Sequence, residues 1–139
     1  MRRPTSRAPL LREEFAGAIV RWTELFNAGE YFAAHEALEE PWLRAVEPEK
    51  THLKGLIHVA VALHQFRRGN SHGARVKYLS AVRYLGQGQA PPGTVHIPEL
   101  LRQMAGFFAP LLEQPPGERQ AGEPPPAPAA PWPVALPGE

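Results

Sequence analysis

The chain has 139 residues and a formal net charge of +1, with 43% hydrophobic and 21% charged residues, the proportions of a single globular domain. Cysteine is absent, which excludes disulfides, thiolate metal ligands and cysteine nucleophiles. Aspartate is absent as well, so a Ser-His-Asp set cannot exist and any carboxylate chemistry must come from glutamate. No apolar run reaches the roughly 18 residues that span a bilayer, and the opening Met1-Arg2-Arg3-Pro4 lacks the apolar stretch of a signal peptide. A cytoplasmic protein without membrane contact is expected.

Leu11, Phe15, Ala18, Ile19, Trp22 and Phe26 recur at helical spacing and predict a first helix that stops at Gly29, a residue suited to a left-handed turn. Tyr31, Ala34, Leu38 and Trp42 form the stripe of a second helix, which Pro41 should kink or end. Glu47-Pro48-Glu49 reads as the next helix start, with proline in the first turn and acids at the positive end of the dipole. This third helix runs to Gly69. Its centre, Gly55-Leu-Ile-His-Val-Ala-Val-Ala-Leu-His64, is apolar nearly all round, the pattern of a buried central helix. Asn70 suits an N-cap for a fourth helix carrying Ala74, Tyr78, Ala81, Val82 and Leu85. A Gly/Pro loop over 86–93 leads to a fifth, with Leu100, Leu101, Met104, Phe107, Phe108 and Leu111. Of the 17 prolines, nine lie within 115–137. That Pro/Ala/Gly/Glu-rich stretch is expected to stay disordered and to be dispensable for stability.

A weak repeat links the hairpins. Gly29-x-Tyr31-x-x-Ala34-x-x-x-Leu38 matches Gly69-x-Ser71-x-x-Ala74-x-x-x-Tyr78 at an offset of 40 (69 − 29). Each copy is a helix, a glycine turn and a helix with a small residue one turn in, like the unit of tetratricopeptide repeats. The expected architecture is all-α: a compact bundle of about five helices, two helical hairpins plus a closing helix. The expected divisions are a flexible 1–8, a helical domain over 9–113 and a disordered tail over 114–139.

Charge is unevenly placed. From Glu13 to Glu49 there are nine Glu against Arg21 and Arg44; from Lys50 to Arg102 there are eight Lys and Arg against Glu99. Attraction between the two halves, within one fold or across a dimer, is the expected consequence. A nucleic-acid surface is disfavoured, because the basic residues lack interleaved aromatics for stacking. Arg67 and Arg68 precede the Gly69 stop, where cations suit the helix dipole. His52, His72 and His96 are expected at helix ends or in loops.

His35 and Glu39 stand one helical turn apart, so both project from neighbouring parts of one face, where imidazole and carboxylate can share a metal ion or a proton. Trp42, one turn after Leu38, could wall such a site, and His58 or His64 could enter it from the third helix. His58 and His64 are about 240° apart around that helix and should not enter one pocket together. Two readings remain: a divalent metal held by His35, Glu39 and His64, or a buried polar network that fixes helix register. Neither the metalloprotease His-Glu-x-x-His pattern nor a phosphate-binding glycine loop occurs.

The run Phe26-Asn27-Ala28-Gly29-Glu30-Tyr31-Phe32-Ala33-Ala34-His35-Glu36-Ala37-Leu38-Glu39-Glu40-Pro41-Trp42 resembles the opening block of the prokaryotic family called domain of unknown function 309. The runs from Leu53 to His64 and from Arg68 to Ala74 resemble its second block, so the resemblance extends over about residues 15–86. It implies a small helical domain and places His, Glu, Trp and His where His35, Glu39, Trp42 and His64 stand. The family often has Gln at the position of His58, and Pro41 departs from its usual Leu. Two functions are consistent with the residues. One is a structural or protein-interaction module, as a homodimer or with another protein, with the His/Glu/Trp cluster as architecture. The other is a small metal-dependent or acid/base hydrolase using His35 and Glu39.

Overall fold

The computed structural model describes residues 8–87, 95–113 and 131–138. It contains five helices, α1 (Arg12–Asn27), α2 (Tyr31–Arg44), α3 (Glu49–Arg67), α4 (Ser71–Leu85) and α5 (Ile97–Leu112). The expected all-α architecture is present: α1 and α2 pair as one hairpin, α3 and α4 as the second, α2 packs on α3, and α5 joins α4. Residues 1–7 and most of the expected 86–93 loop lie outside the described residues.

The 40-residue repeat is a repeat of turn chemistry. Gly29 and Gly69 have φ of 80° and 83°. Each donates its N–H three residues back, one fewer than in the α-helix, to the carbonyls of Phe26 and Phe66 at 3.0 Å. The following N–H groups, of Glu30 and Asn70, reach back to the carbonyls of Leu25 at 2.8 Å and Gln65 at 2.9 Å. Both turns are therefore Schellman closures, which need a left-handed residue after the helix. Asn70 also caps α4, its Oδ1 accepting from Gly73 N at 2.9 Å. Replacing Gly29 or Gly69 with Val should cost more than about 1 kcal/mol, because a β-branched residue tolerates this conformation worst. Wild-type stability of Gly69→Val in urea unfolding would contradict the turn.

Pro41 neither ends nor visibly interrupts α2, which continues for one more turn to Arg44. Arg44 anchors that turn to α1: its guanidinium donates to both Glu14 carboxylate oxygens, at 3.0 and 2.9 Å, and to Glu40 at 2.8 Å. The Arg44 charge and hydrogen bonds hold the Glu14 carboxyl below the usual carboxylate range.

The core joins Trp22 and Phe26 of α1, Leu38 of α2, Leu53, Leu56 and Leu63 of α3, and Met104, Phe107 and Phe108 of α5, all at most 1% exposed. α3 is central, yet one stripe of it stays open: Lys54, Ile57, His58, Val61 and His64 are only half-buried. These positions fall within an arc of about 120°, where α2 and α4 flank α3 without covering it. α4 comes close to α3 at Gly55, where a Cβ would stand 2.5 Å from Leu85 Cδ2. That approach sets Tyr84 beside the open stripe.

The expectation of a wholly disordered tail over 114–139 is corrected for 131–138; residues 114–130 lie outside the described residues. The segment 131–138 runs extended over the body, with Pro133 and Ala135 buried. It adds an isolated antiparallel bridge between Val95 and Pro137. A segment poor in apolar residues on average can still order where the few it has find a preformed site.

Candidate functional site

The five residues singled out from sequence fall into two clusters at opposite ends of the open α3 stripe. Trp42 and His35 are seven positions apart on α2, about 10 Å along the axis.

At the first end, His35 Nδ1 donates to the Phe32 carbonyl at 2.5 Å, leaving Nε2 facing Glu39, whose Oε2 lies 3.5 Å away. The His35 side chain is 14% exposed but that of Glu39 is 60% exposed, which corrects the inward placement expected for Glu39. At 100° per residue, Glu39 stands roughly 100° from the centre of the Tyr31, Ala34, Leu38 stripe and so turns to solvent. A carboxylate in water needs neither a proton nor a metal to hold its charge. Glu39→Gln should therefore shift the melting temperature by less than about 2 °C, as exposed pairs do; a larger loss in a thermal scan would contradict this placement. His64 lies nearby, but the Phe32 ring stands between the imidazoles, 4.7 Å from His35 and 5.1 Å from His64 by ring centres. Burial, followed by the charges of Arg68, His35 and Arg67, lowers the His64 pKa. Among the described residues no three His or Glu side chains converge as a set of metal ligands.

At the second end, Trp42 meets cations. The ammonium of Lys50 stands 4.3 Å from its ring centre and that of Lys54 4.8 Å; Lys50 also donates to the Trp42 carbonyl at 2.9 Å. Lys54 reaches across to the Tyr84 ring, at 5.9 Å, where Arg83 also lies at 5.2 Å. His58 meets the edge of the same ring, with centres 5.3 Å apart and planes at 81°. Burial first, and then Lys77, Lys54 and Arg83, push the His58 pKa down to about 4, so its imidazole is neutral at physiological pH. His58 and His64 indeed face different neighbours, α4 and α2.

His52 lies in the first turn of α3, the helix-end position expected, but its environment is not a surface one: it is only 6% exposed, against Phe15, and burial alone pushes its pKa down to about 4. His96, by contrast, is a helix-end residue as expected: its Nδ1 accepts from Glu99 N at 3.1 Å.

The arrangement least visible in the sequence surrounds the segment 131–138. Two side-chain amides grip its backbone like paired strands. Asn27, the last residue of α1, donates from Nδ2 to the Ala135 carbonyl at 2.9 Å and accepts from Ala135 N at 2.7 Å. Gln103 of α5 does the same to Val134, at 3.1 and 2.9 Å, and His96 N donates to the Leu136 carbonyl at 2.8 Å. Trp132 is the anchor. Its ring stacks on Tyr31 at 5.8 Å and meets Phe66 at 5.6 Å and Phe107 at 4.5 Å. The Arg67 guanidinium covers the Tyr31 and Trp132 rings at 4.6 and 5.2 Å while donating to the Gly29 carbonyl at 2.7 Å. The signal for this docking was Trp132 itself, a large aromatic with Val134 and Leu136 in an otherwise small-residue stretch.

The fold and these contacts define an all-helical domain of paired hairpins that holds an extended segment where the ends of α1, α2 and α3 meet α5. Residues 19–76 match the model of the family described as domain of unknown function (DUF309), in line with the resemblance read from the sequence. An uncharacterized protein of Aquifex aeolicus (strain VF5) is 47% identical over 53 residues, 37% of this chain. The chain spans only 16% of that relative's length. Among the described residues no helix is long and apolar enough to cross a membrane.

Proposed function

We propose that the protein is an interaction module that binds extended, proline-flanked peptide segments carrying an aromatic anchor, with residues 131–138 as its resident ligand. What supports the reading is the double amide clamp: Asn27 and Gln103 each form a donor–acceptor pair with the backbone N–H and C=O of one residue, Ala135 and Val134. Such backbone bonds give affinity independent of side-chain identity, while pockets for alternate side chains give selectivity, the logic of added-strand recognition. The aromatic pocket of Tyr31, Phe66 and Phe107 selects the anchor, and prolines keep the ligand extended at low entropic cost. Surface clefts border the segment on both sides, one lined by Val20, Thr23 and Leu136 and the other by Arg102, Gly106 and Val134, so a partner's side chains have room to extend. In this reading His35 and His64, through the Phe32 ring, pack α2 against α3, and the partner is a protein bearing such a segment, a second copy of this chain included.

A tethered segment competes at an effective concentration of order millimolar. The test therefore uses the full chain carrying Trp132→Ala, in which the resident ligand is weakened, titrated with a labelled peptide of residues 131–138. Saturable binding that Asn27→Ala with Gln103→Ala abolishes is expected. No saturable binding up to about millimolar peptide, in a chain that keeps its helical circular dichroism, would overturn the proposal.

A further inference from the structure

Among the described residues the cations of α3 and α4 have no carboxylate partner. Between Lys50 and Pro98 the chain carries seven Lys and Arg and no acid, and attraction to the acidic first half was the expected compensation. The structure does not provide it. Among the described residues the ion pairs join His35 to Glu39, Arg44 to Glu14 and Glu40, and Arg102 to Glu99, and none links the acidic block to the α3–α4 basic block. Among the described residues Lys54, Lys77 and Arg83 have no carboxylate within ion-pair distance; Lys77 stands two helical turns before Tyr84 on the same face of α4, and the charges of all three add to the lowering of the His58 pKa. The crowding is localised and built on rigid parts. Lys54 is held between the Trp42 and Tyr84 rings, Arg83 lies over Tyr84, and both Lys54 and Lys77 are half-buried. Two buried ring nitrogens at the same place also lack partners, Trp42 Nε1 and His58 Nδ1.

We propose that Lys54, Lys77 and Arg83, with His58 and the Trp42 and Tyr84 rings as walls, form a binding site for a small multiply charged oxyanion, a phosphate ester or pyrophosphate-like ligand. Like charges gathered on a low-dielectric wall create a positive potential that concentrates anions. Lysine suits phosphate as a point charge and arginine as a fork. A neutral imidazole beside them adds a hydrogen-bond donor without raising the repulsion. Trp42 and Tyr84 hold the cations from their faces and leave the ammonium and guanidinium hydrogens free for a ligand. The site is separate from the cleft that holds residues 131–138, and it stands whether or not that cleft accepts peptides in trans.

The test uses the intact chain at low ionic strength with inorganic pyrophosphate as the probe, and sodium chloride at matched ionic strength as control. Pyrophosphate should raise the melting temperature with the logarithm of its concentration above Kd, by roughly 5 °C at tenfold excess, and chloride should not. Lys54→Gln with Lys77→Gln should weaken binding at least about tenfold in calorimetry, while Arg102→Gln on α5, which is paired with Glu99, should leave it unchanged. An independent readout comes from the free protein. Lys77→Gln alone should melt at or above the wild type at low salt, because it relieves unbalanced repulsion. The proposal is overturned if pyrophosphate gives no shift beyond that of chloride up to about 10 mM, or if the double variant binds it as tightly as wild type. It is equally overturned if only an acidic peptide, and not pyrophosphate, binds this face.

Discussion

Truncation after Gln114 is expected to lower the melting temperature by about 10 °C, and Trp132→Ala in the full chain by at least about 5 °C. Trp132 makes three aromatic contacts and one guanidinium contact, each worth about 0.5–1.5 kcal/mol beyond area. The clamp adds four hydrogen bonds, each worth about 1 kcal/mol net, and ordering the segment offsets part of the sum. We expect a net docking free energy of about 2–3 kcal/mol, which at about 4 °C per kcal/mol for a domain this size gives the stated shift. The loss has a ceiling, because the segment can undock while the helices stay folded. Asn27→Ala, Gln103→Ala and Trp132→Ala should therefore combine less than additively. A truncated chain melting within about 2 °C of wild type would show that the docked segment contributes nothing to stability.

Acidification is the second large effect. His52 is buried with Nε2 unpaired, and its pKa falls from 6.5 to about 4 on folding. Between these values the unfolded chain holds the proton and the folded chain does not. Stability is therefore unaffected by this group above about pH 6.5 and declines as pH falls toward 4. At pH 4.5 the group alone costs about 2–3 kcal/mol. His58, whose pKa is also pushed down to about 4, acts in the same direction. His52→Leu removes the titration and keeps the contact with Phe15 apolar. In urea unfolding it should be close to wild type at pH 7 and more stable by roughly 2 kcal/mol at pH 4.5. Equal pH dependence of the variant and the wild type would contradict the burial of His52.

Backbone chemistry was the most legible part of the sequence. Gly29, Gly69 and Asn70 do what their residue types require locally, so the two hairpins could be read from the chain. Side-chain orientation was legible only to the resolution of a helical stripe. Glu39 and His52 were each assigned to the wrong environment, because tilt and neighbours decide the edge of a stripe and a single helix carries no information on either. Sequence separation defeated the rest. Trp132 meets Tyr31 and Asn27 meets Ala135 across more than 100 positions, and average composition obscured the docking of 131–138 within a proline-rich region. The charge blocks were visible, but which surfaces meet was not, and among the described residues no carboxylate pairs with the basic face.

The most direct test of a resident ligand is hydrogen exchange at two amides. Val134 N–H and Ala135 N–H are satisfied by Gln103 and Asn27 side chains and by no helix or sheet. In the intact chain both should exchange about 10- to 100-fold more slowly than in the isolated peptide of residues 131–138, and Trp132→Ala should release both together. Exchange at peptide rates in the wild type, with α3 amides still protected, would contradict the account.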